Sequence, residues 1–304
     1  MGAERTRAEA VQAPGQPANP REHLHWRKIE IRTFPSPRLD DGVDLIPRLA
    51  GHTRSLDGLR AAEIARRSTE LHVDALGCRH AEFVLVPGAW LGSWAWDEVA
   101  PALRAAGHGA HPLTLSGLAE KQGIPAGQQT HVEDIVDEIA GKDLRDVILV
   151  GHSYSGIPVG QAAERIGGRL AQVVFVDSEV PIDGESFASA DLEASIAENG
   201  GFWAPLSAAD YGGQGLTTEQ IARIVAGSTP HPGRTLTEPA VMADSVGELP
   251  ATYIKCLLDW PEPNDTVAKL LTGDRWRLVT MGTGHWPMFS QPSELAQILL
   301  DAAR

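Results

Sequence analysis

From about residue 81 onward the chain alternates short, almost wholly apolar runs with amphipathic stretches. EFVLV, closed by Pro87-Gly88, predicts a buried strand ending in a loop, and WDEVAPALRAAGH (96–108) predicts a helix with Pro101 tolerable near its first turn. HGAHPLTL (108–115) predicts another strand. THVEDIVDEIAGK (130–142) predicts a helix in which Thr130 is the N-cap and Glu133 completes a capping box. DVILV (146–150), QVVFVDS (172–178), TYIKCLLD (252–259) and WRLVTM (276–281) predict four further strands. Helices are expected around 157–166 and over SELAQILLDAA (293–303). Strands apolar throughout and alternating with helices predict a parallel sheet covered on both faces, the α/β class. No internal repeat is visible.

Two regions break this rhythm. Between Pro181 and Leu249 lie short helical pieces, Gly, Pro and Trp203, with no strong strand. A compact domain rarely carries so long a loop, so a small helical cap inserted at about 182–248 is the expected arrangement. Residues 1–22 are rich in Ala, Pro, Gln and charge and predict disorder. WRKIEIRTF (26–34) alternates like a strand and LDGLRAAEIARRSTEL (56–71) has helical spacing, with little core-forming material between them. Residues 1–80 therefore read as a weakly structured extension and 81–304 as one domain.

Charge sharpens that division. Residues 1–80 hold 13 Lys/Arg against 11 Asp/Glu, a balance of +2, whereas residues 81–304 hold 13 against 29, a balance of −16. So acidic a domain argues against nucleic acid or an anionic membrane as partner. The two cysteines, Cys78 and Cys256, form neither a metal pattern nor a disulfide framework. The first twenty residues contain no apolar signal core, and no stretch reaches the roughly 18 apolar residues of a membrane span. A soluble, cytoplasmic protein is expected, its oligomeric state left open.

The candidate chemistry centres on Val150-Gly-His-Ser-Tyr-Ser-Gly156. A serine in a sharp strand-to-helix turn is lifted above the sheet, and the next backbone N–H and the helix N-terminus point at a forming oxyanion. The usual spelling is G-x-S-x-G; here Ser155 replaces the last glycine, adding only a Cβ and a hydroxyl, and Gly156 follows. Ser153 is the expected nucleophile. Its base is expected after the last strand, where MGTGHWPMFSQP (281–292) supplies His285. His152 reads as a packing or pocket residue. For the acid, the carboxyl end of TYIKCLLD offers Asp259, 26 residues before His285; Asp177, ending VVFVD, is the alternative, and Asp265 lies farther into the loop. The spacing favours Asp259. A second oxyanion donor is expected in VPGAWLGSWAW (86–96), where Gly88 permits close approach and the N–H of Ala89 pairs with that of Tyr154. Trp90, Trp94 and Trp96 read by default as core, with at least one on the pocket wall.

These segments together resemble the plant methyl-ester esterase and hydroxynitrile lyase branch of the α/β-hydrolase fold and its bacterial relatives, over roughly 82–303. The resemblance implies an α/β-hydrolase fold, Ser153, His285 and Asp259 as catalytic triad, Ala89 and Tyr154 as oxyanion donors, and no cofactor or metal. Lyases of this branch carry a lysine after the catalytic histidine and a threonine in the oxyanion loop; here those positions hold Trp286 and Gly88. A histidine frequent in the esterases' oxyanion loop is replaced by Leu91, which makes the pocket floor more apolar. With Gly88, Trp90, Leu91 and Trp286 around the pocket, the expected activity is serine-dependent hydrolysis of a small carboxylic ester through an acyl-enzyme. The alternatives are a lyase, a lactone or amide hydrolase on the same triad, or a non-catalytic ligand receptor of the same fold.

Overall fold

A computed structural model describes residues 80–304. The extension predicted for residues 1–80, with its strand-like and helical stretches and Cys78, lies outside the described residues apart from His80.

The apolar runs become strands because a parallel sheet buried on both faces favours β-branched and large aliphatic side chains at every position. β1 (Glu82–Val86) is followed by a short 3₁₀ turn (Ser93–Trp96), α1 (Ala100–Ala105) and β2 (Gly109–Pro112). α2 (Gln128–Gly141) leads to β3 (Val147–His152), α3 (Gly156–Ile166) and β4 (Leu170–Val176). After the insertion come β7 (Ala251–Cys256), α7 (Asp265–Leu270), β8 (Trp276–Met281), α8 (Pro287–Ser290) and α9 (Pro292–Ala302). The six strands form one sheet in the order β2-β1-β3-β4-β7-β8, every adjacent pair parallel. One apolar cluster, with Ile135, Val159, Phe175 and Trp276, and a second, with Phe83, Trp96, Phe289 and Leu299, account for burial on both faces. Among the described residues no helix is long and apolar enough to cross a membrane.

Several boundaries differ from expectation: β2 covers only Gly109–Pro112 of the 108–115 run, β7 ends at Cys256 rather than Asp259, and two helices shift as well. The helix predicted over 96–108 is only α1, because Ser93–Trp96 tightens into a 3₁₀ turn that buries Trp96. α2 begins three residues early: Gly127 is its N-cap, and Thr130, at the third helical position, accepts the Gly127 N–H at 3.1 Å. Gln128 draws the helix back because its side-chain amide donates to the buried Thr235 carbonyl at 2.7 Å and its own amide donates to Glu238 at 2.8 Å.

The insertion between β4 and β7 contains α4 (Ala190–Glu198), α5 (Thr218–Gly227), α6 (Arg234–Thr237) and a two-stranded antiparallel ribbon, β5 (Phe202–Trp203) with β6 (His231–Pro232). Ser189 caps α4, and Thr217 with Gln220 forms a reciprocal capping box on α5.

Candidate active site

The site lies at the carboxyl ends of the parallel strands, where loops can change without disturbing the sheet. Six non-glycine residues among those described have positive φ, and three of them meet here: Trp90 (φ 66), Ser153 (φ 56) and Asp177 (φ 43). Side chains held in the left-handed region cost about 1–3 kcal/mol each and persist only where the surroundings over-determine them.

Ser153 follows β3 directly and opens a 3₁₀ turn that runs into α3. The small residues around it have measurable reasons. A Cβ on Gly151 would lie 3.0 Å from the Ser155 carbonyl oxygen and from Val159, and one on Gly156 would lie 2.0 Å from the Glu179 carbonyl oxygen. A Cβ on Gly88 would lie 2.8 Å from that of Ser153, so glycine lets the loop after β1 close over the nucleophile. Ser155, at the position usually held by glycine, is fully buried and donates its hydroxyl to the Pro87 carbonyl. The extra hydroxyl thus straps the nucleophile turn to the loop that carries Gly88 and Ala89.

His285 lies between β8 and α8 and hydrogen-bonds to Ser153 Oγ through Nε2 at 2.9 Å. Its Nδ1 lies 2.7 Å from Asp177 Oδ2. A carboxylate only accepts, so Nδ1 carries the proton and Nε2 is free to accept the serine proton. Asp259, favoured by spacing, stands farther away, at 3.6 Å from Nδ1. The hydrogen bond goes instead to Asp177, because its strand lies directly beside the nucleophile strand and the backbone reverses at once after Val176. Asp177 is fully engaged: Oδ1 accepts from Lys255 Nζ at 2.5 Å and from the Cys256 amide at 3.2 Å. Burial opposes its charge, but the hydrogen bond and charge of His285, with the Lys255 ammonium, hold the carboxyl well below its ordinary range. The same burial, with Asp177 beside it, pushes the Cys256 thiol up and keeps it neutral. Donor atoms of Asp177, Asp259 and His285 lie within 4.8 Å of one another, close enough for a metal ion. With Lys255 already on Asp177 and a proton on Nδ1, the geometry is that of an acid–base relay. Asp265 opens α7.

His152 does more than pack. The Gly88 amide donates to its Nδ1 at 3.2 Å, and its Nε2 donates to the His285 carbonyl at 2.7 Å, so both partners specify one tautomer. Burial, reinforced by nearby His285, lowers His152 to about 3 and keeps it neutral. One ring therefore ties the loop after β1 to the loop that carries His285.

The insertion grips the same two loops. Gln214 Oε1 accepts the His285 amide at 2.7 Å. On the other side the Trp90 amide donates to His231 Nδ1 at 3.3 Å, Trp90 Nε1 donates to the Trp203 carbonyl at 3.2 Å, and the Thr229 amide donates to the Trp90 carbonyl at 3.0 Å. The Trp90 and Trp203 rings lie 4.1 Å apart. Ala89, one residue earlier, is buried in the loop these contacts hold, and Tyr154, also buried, follows the nucleophile. Trp286 is buried edge-on to His285, with ring centroids 5.0 Å apart, and packs on Tyr211. Leu91 is buried in the cluster with Phe83 and Trp96, so it fills the core beneath the loop. Trp96 is fully buried, while Trp94 is partly buried and packs on Phe289. Sequence reasoning missed Lys255, Gln214 and His231. Of these only Lys255, a charge inside an otherwise apolar strand, carried a local signal.

The chain has known relatives. The chain matches the alpha/beta hydrolase family over residues 83–298. It belongs to that family. A carbendazim hydrolyzing esterase of Nocardioides sp. (strain SG-4G) is 32% identical over 238 residues, covering 72% of this chain and 98% of the relative. Methyl jasmonate esterase 1 of Vitis vinifera is 27% identical over 262 residues, covering 73% and 96%. Among solved structures, an extracellular alpha/beta-hydrolase from a Paenibacillus species superposes with a TM-score of 0.65 at 23% identity, covering 74% of this chain and 99% of that one.

Proposed function

We propose that this alpha/beta hydrolase cleaves a small carboxylic ester with Ser153 as nucleophile, His285 as general base and Asp177 as the acid that orients it. The chain is a carboxylic ester hydrolase, as its family membership and its esterase relatives together support. The observation that carries the residue roles is the continuous relay Ser153 Oγ–His285–Asp177, with contacts of 2.9 and 2.7 Å.

Ser153 Oγ attacks the ester carbonyl as its proton passes to His285 Nε2; Asp177, anionic and fixed, stabilises the imidazolium. The amides of Ala89 and Tyr154 receive the oxyanion. His285 returns the proton to the leaving alcohol, and water then repeats the sequence on the acyl-enzyme, releasing the acid. The Trp90–Trp203 pair beside the oxyanion loop favours an apolar or aromatic group on the ester. Trp286, packed against His285, offers no cation where a lyase would hold cyanide, which favours hydrolysis.

Incubation with a fluorophosphonate probe tests the assignment. Ser153 is expected to be labelled, Ser153→Ala to abolish labelling, and p-nitrophenyl acetate turnover to disappear in Ser153→Ala and His285→Ala. A folded wild-type protein that takes no label would overturn it. Screening methyl, aryl and lactone substrates then defines the ester.

A further inference from the structure

Lys255 sits in β7 between Ile254 and Cys256, and its side chain is 6% exposed. A buried ammonium persists only with a partner, and Lys255 has one in Asp177 Oδ1. The Cys256 amide donates to the same oxygen, which fixes the rotation of the carboxylate and leaves Oδ2 to His285. His285 Nδ1 nevertheless has two carboxylates in reach, Asp177 at 2.7 Å and Asp259 at 3.6 Å. They differ in setting: the Asp177 side chain is 2% exposed and that of Asp259 12%. Without the Lys255 ammonium, the charge of the more deeply buried carboxylate loses its partner, and the imidazole turns to the better-solvated one.

We propose that Lys255 is a positioning residue that selects Asp177 over Asp259 as the partner of His285, and that it keeps the base usable beside two carboxylates by cancelling one of their charges. This rests on the catalytic reading of Ser153 and His285. Two anions around one imidazole stabilise its protonated form and so withdraw the base as pH falls. The Lys255 ammonium, paired with Asp177, opposes one of these two charges. The other groups facing the cluster do not supply that charge. His152 is neutral, with its ring centroid 4.9 Å from that of His285. The Tyr253 hydroxyl donates to the Ser178 carbonyl and is held neutral by burial beside Asp177, as is the Cys256 thiol. Glu179, which accepts from Asn264, is pushed up by burial and by Asp177 beside it, so it supplies no positive charge either.

The test is the pH dependence of kcat/KM on p-nitrophenyl acetate for wild type, Lys255→Met, Asp259→Asn and the double variant, with near-UV circular dichroism to establish folding. Lys255→Met is expected to move the acid limb upward by about one pH unit. Asp259→Asn is expected to cost less than about 5-fold alone but more than about 30-fold in the Lys255→Met background, because Asp259 has then become the working acid. Should Lys255→Met not fold, Lys255→Met/Asp177→Asn removes the ion pair as a unit and leaves no unpaired buried charge; its residual activity must vanish on adding Asp259→Asn. An unmoved acid limb, an equal cost of Asp259→Asn in both backgrounds, or residual activity that survives loss of Asp259 overturns the selection role. Wild-type protein without fluorophosphonate labelling overturns the catalytic reading beneath it, so the two failures are told apart.

Discussion

Lowering the pH from about 7.5 to about 5 should destabilise this fold severely, through three buried histidines. His152 and His131 are buried and held neutral, lowered from 6.5 to about 3 and about 4 chiefly by burial, and His231 is lowered well below 6.5 for the same reason. Each ring has one nitrogen donating and one accepting. His131 donates to the Ser116 carbonyl at 2.8 Å and accepts from the Tyr154 hydroxyl at 2.9 Å. His231 donates to Thr235 Oγ1 at 2.8 Å and accepts the Trp90 amide. Protonation would set a new N–H of His152 against the Gly88 amide and one of His231 against the Trp90 amide. The sign follows from which state binds the proton. With folded values depressed, the unfolded chain holds more protons between about 6.5 and 4, so stability is complete above about 6.5 and falls as pH falls. At about pH 5 His131 and His152 each cost about 2 kcal/mol, and His231 adds in the same direction. The sum rivals the 5–15 kcal/mol that typically separates a folded domain from its unfolded chain. His80 works the opposite way: its bonds to Glu82 and the Gly107 carbonyl outweigh the burial that lowers it, but at 42% exposure it is a minor offset. Urea titration followed by tryptophan fluorescence reads the difference directly. A midpoint at about pH 5 equal to or above that at about pH 7.5 would refute the assignment of these rings as buried and neutral.

Other outcomes follow from the same geometry. Asp177→Asn should lower kcat by about 10²–10⁴, since an amide can present N–H to Nδ1 and so stabilise the wrong tautomer, while Asp259→Asn in otherwise wild-type protein should be mild; stopped assays with p-nitrophenyl acetate compare them, and the reverse order would sink the choice of acid. Ser155→Ala should cost about 1–2 kcal/mol of stability, because it strands the buried Pro87 carbonyl, with kcat falling alongside as the oxyanion loop loosens; thermal melts and steady-state kinetics measure both. Gly156→Ala should fail to give folded, labelled protein, since its methyl group would meet the Glu179 carbonyl at 2.0 Å. His231→Phe should reduce kcat more than it raises KM if the cap contact to Trp90 positions the oxyanion loop, and an unchanged kcat would argue against that.

The sequence carried the sheet well because its strands are uniformly apolar, and TYIKCLLD and WRLVTM land on adjacent strands as expected. Ser153 and His285, proposed above as nucleophile and base, were legible as a pair that the structure brings within 2.9 Å, because that chemistry demands one at the strand-to-helix turn and one after the last strand. The acid was not, since the carboxyl ends of β4 and β7 are neighbours and either aspartate can reach the same imidazole. Lys255 held the missing information: a lysine in an apolar strand needs a buried anion, and Ile254 pairs with Val176, one residue before Asp177. Thr130 misled for a local reason, because its hydroxyl caps from inside the helix. The insertion's grip on Trp90 and His285 had no sequence signal, since each hydrogen bond in it runs through a backbone group.

That grip bears on how such a protein can diversify. The insertion between β4 and β7 is bolted, through Gln214 and His231, to the loops that carry His285 and Trp90. A cap exchanged for one from another hydrolase would arrive without those bolts and leave the nucleophile's neighbours slack, however well the new pocket fitted its ester. Exchange of the whole insertion is therefore expected to succeed only when Gln214 and His231 travel with it.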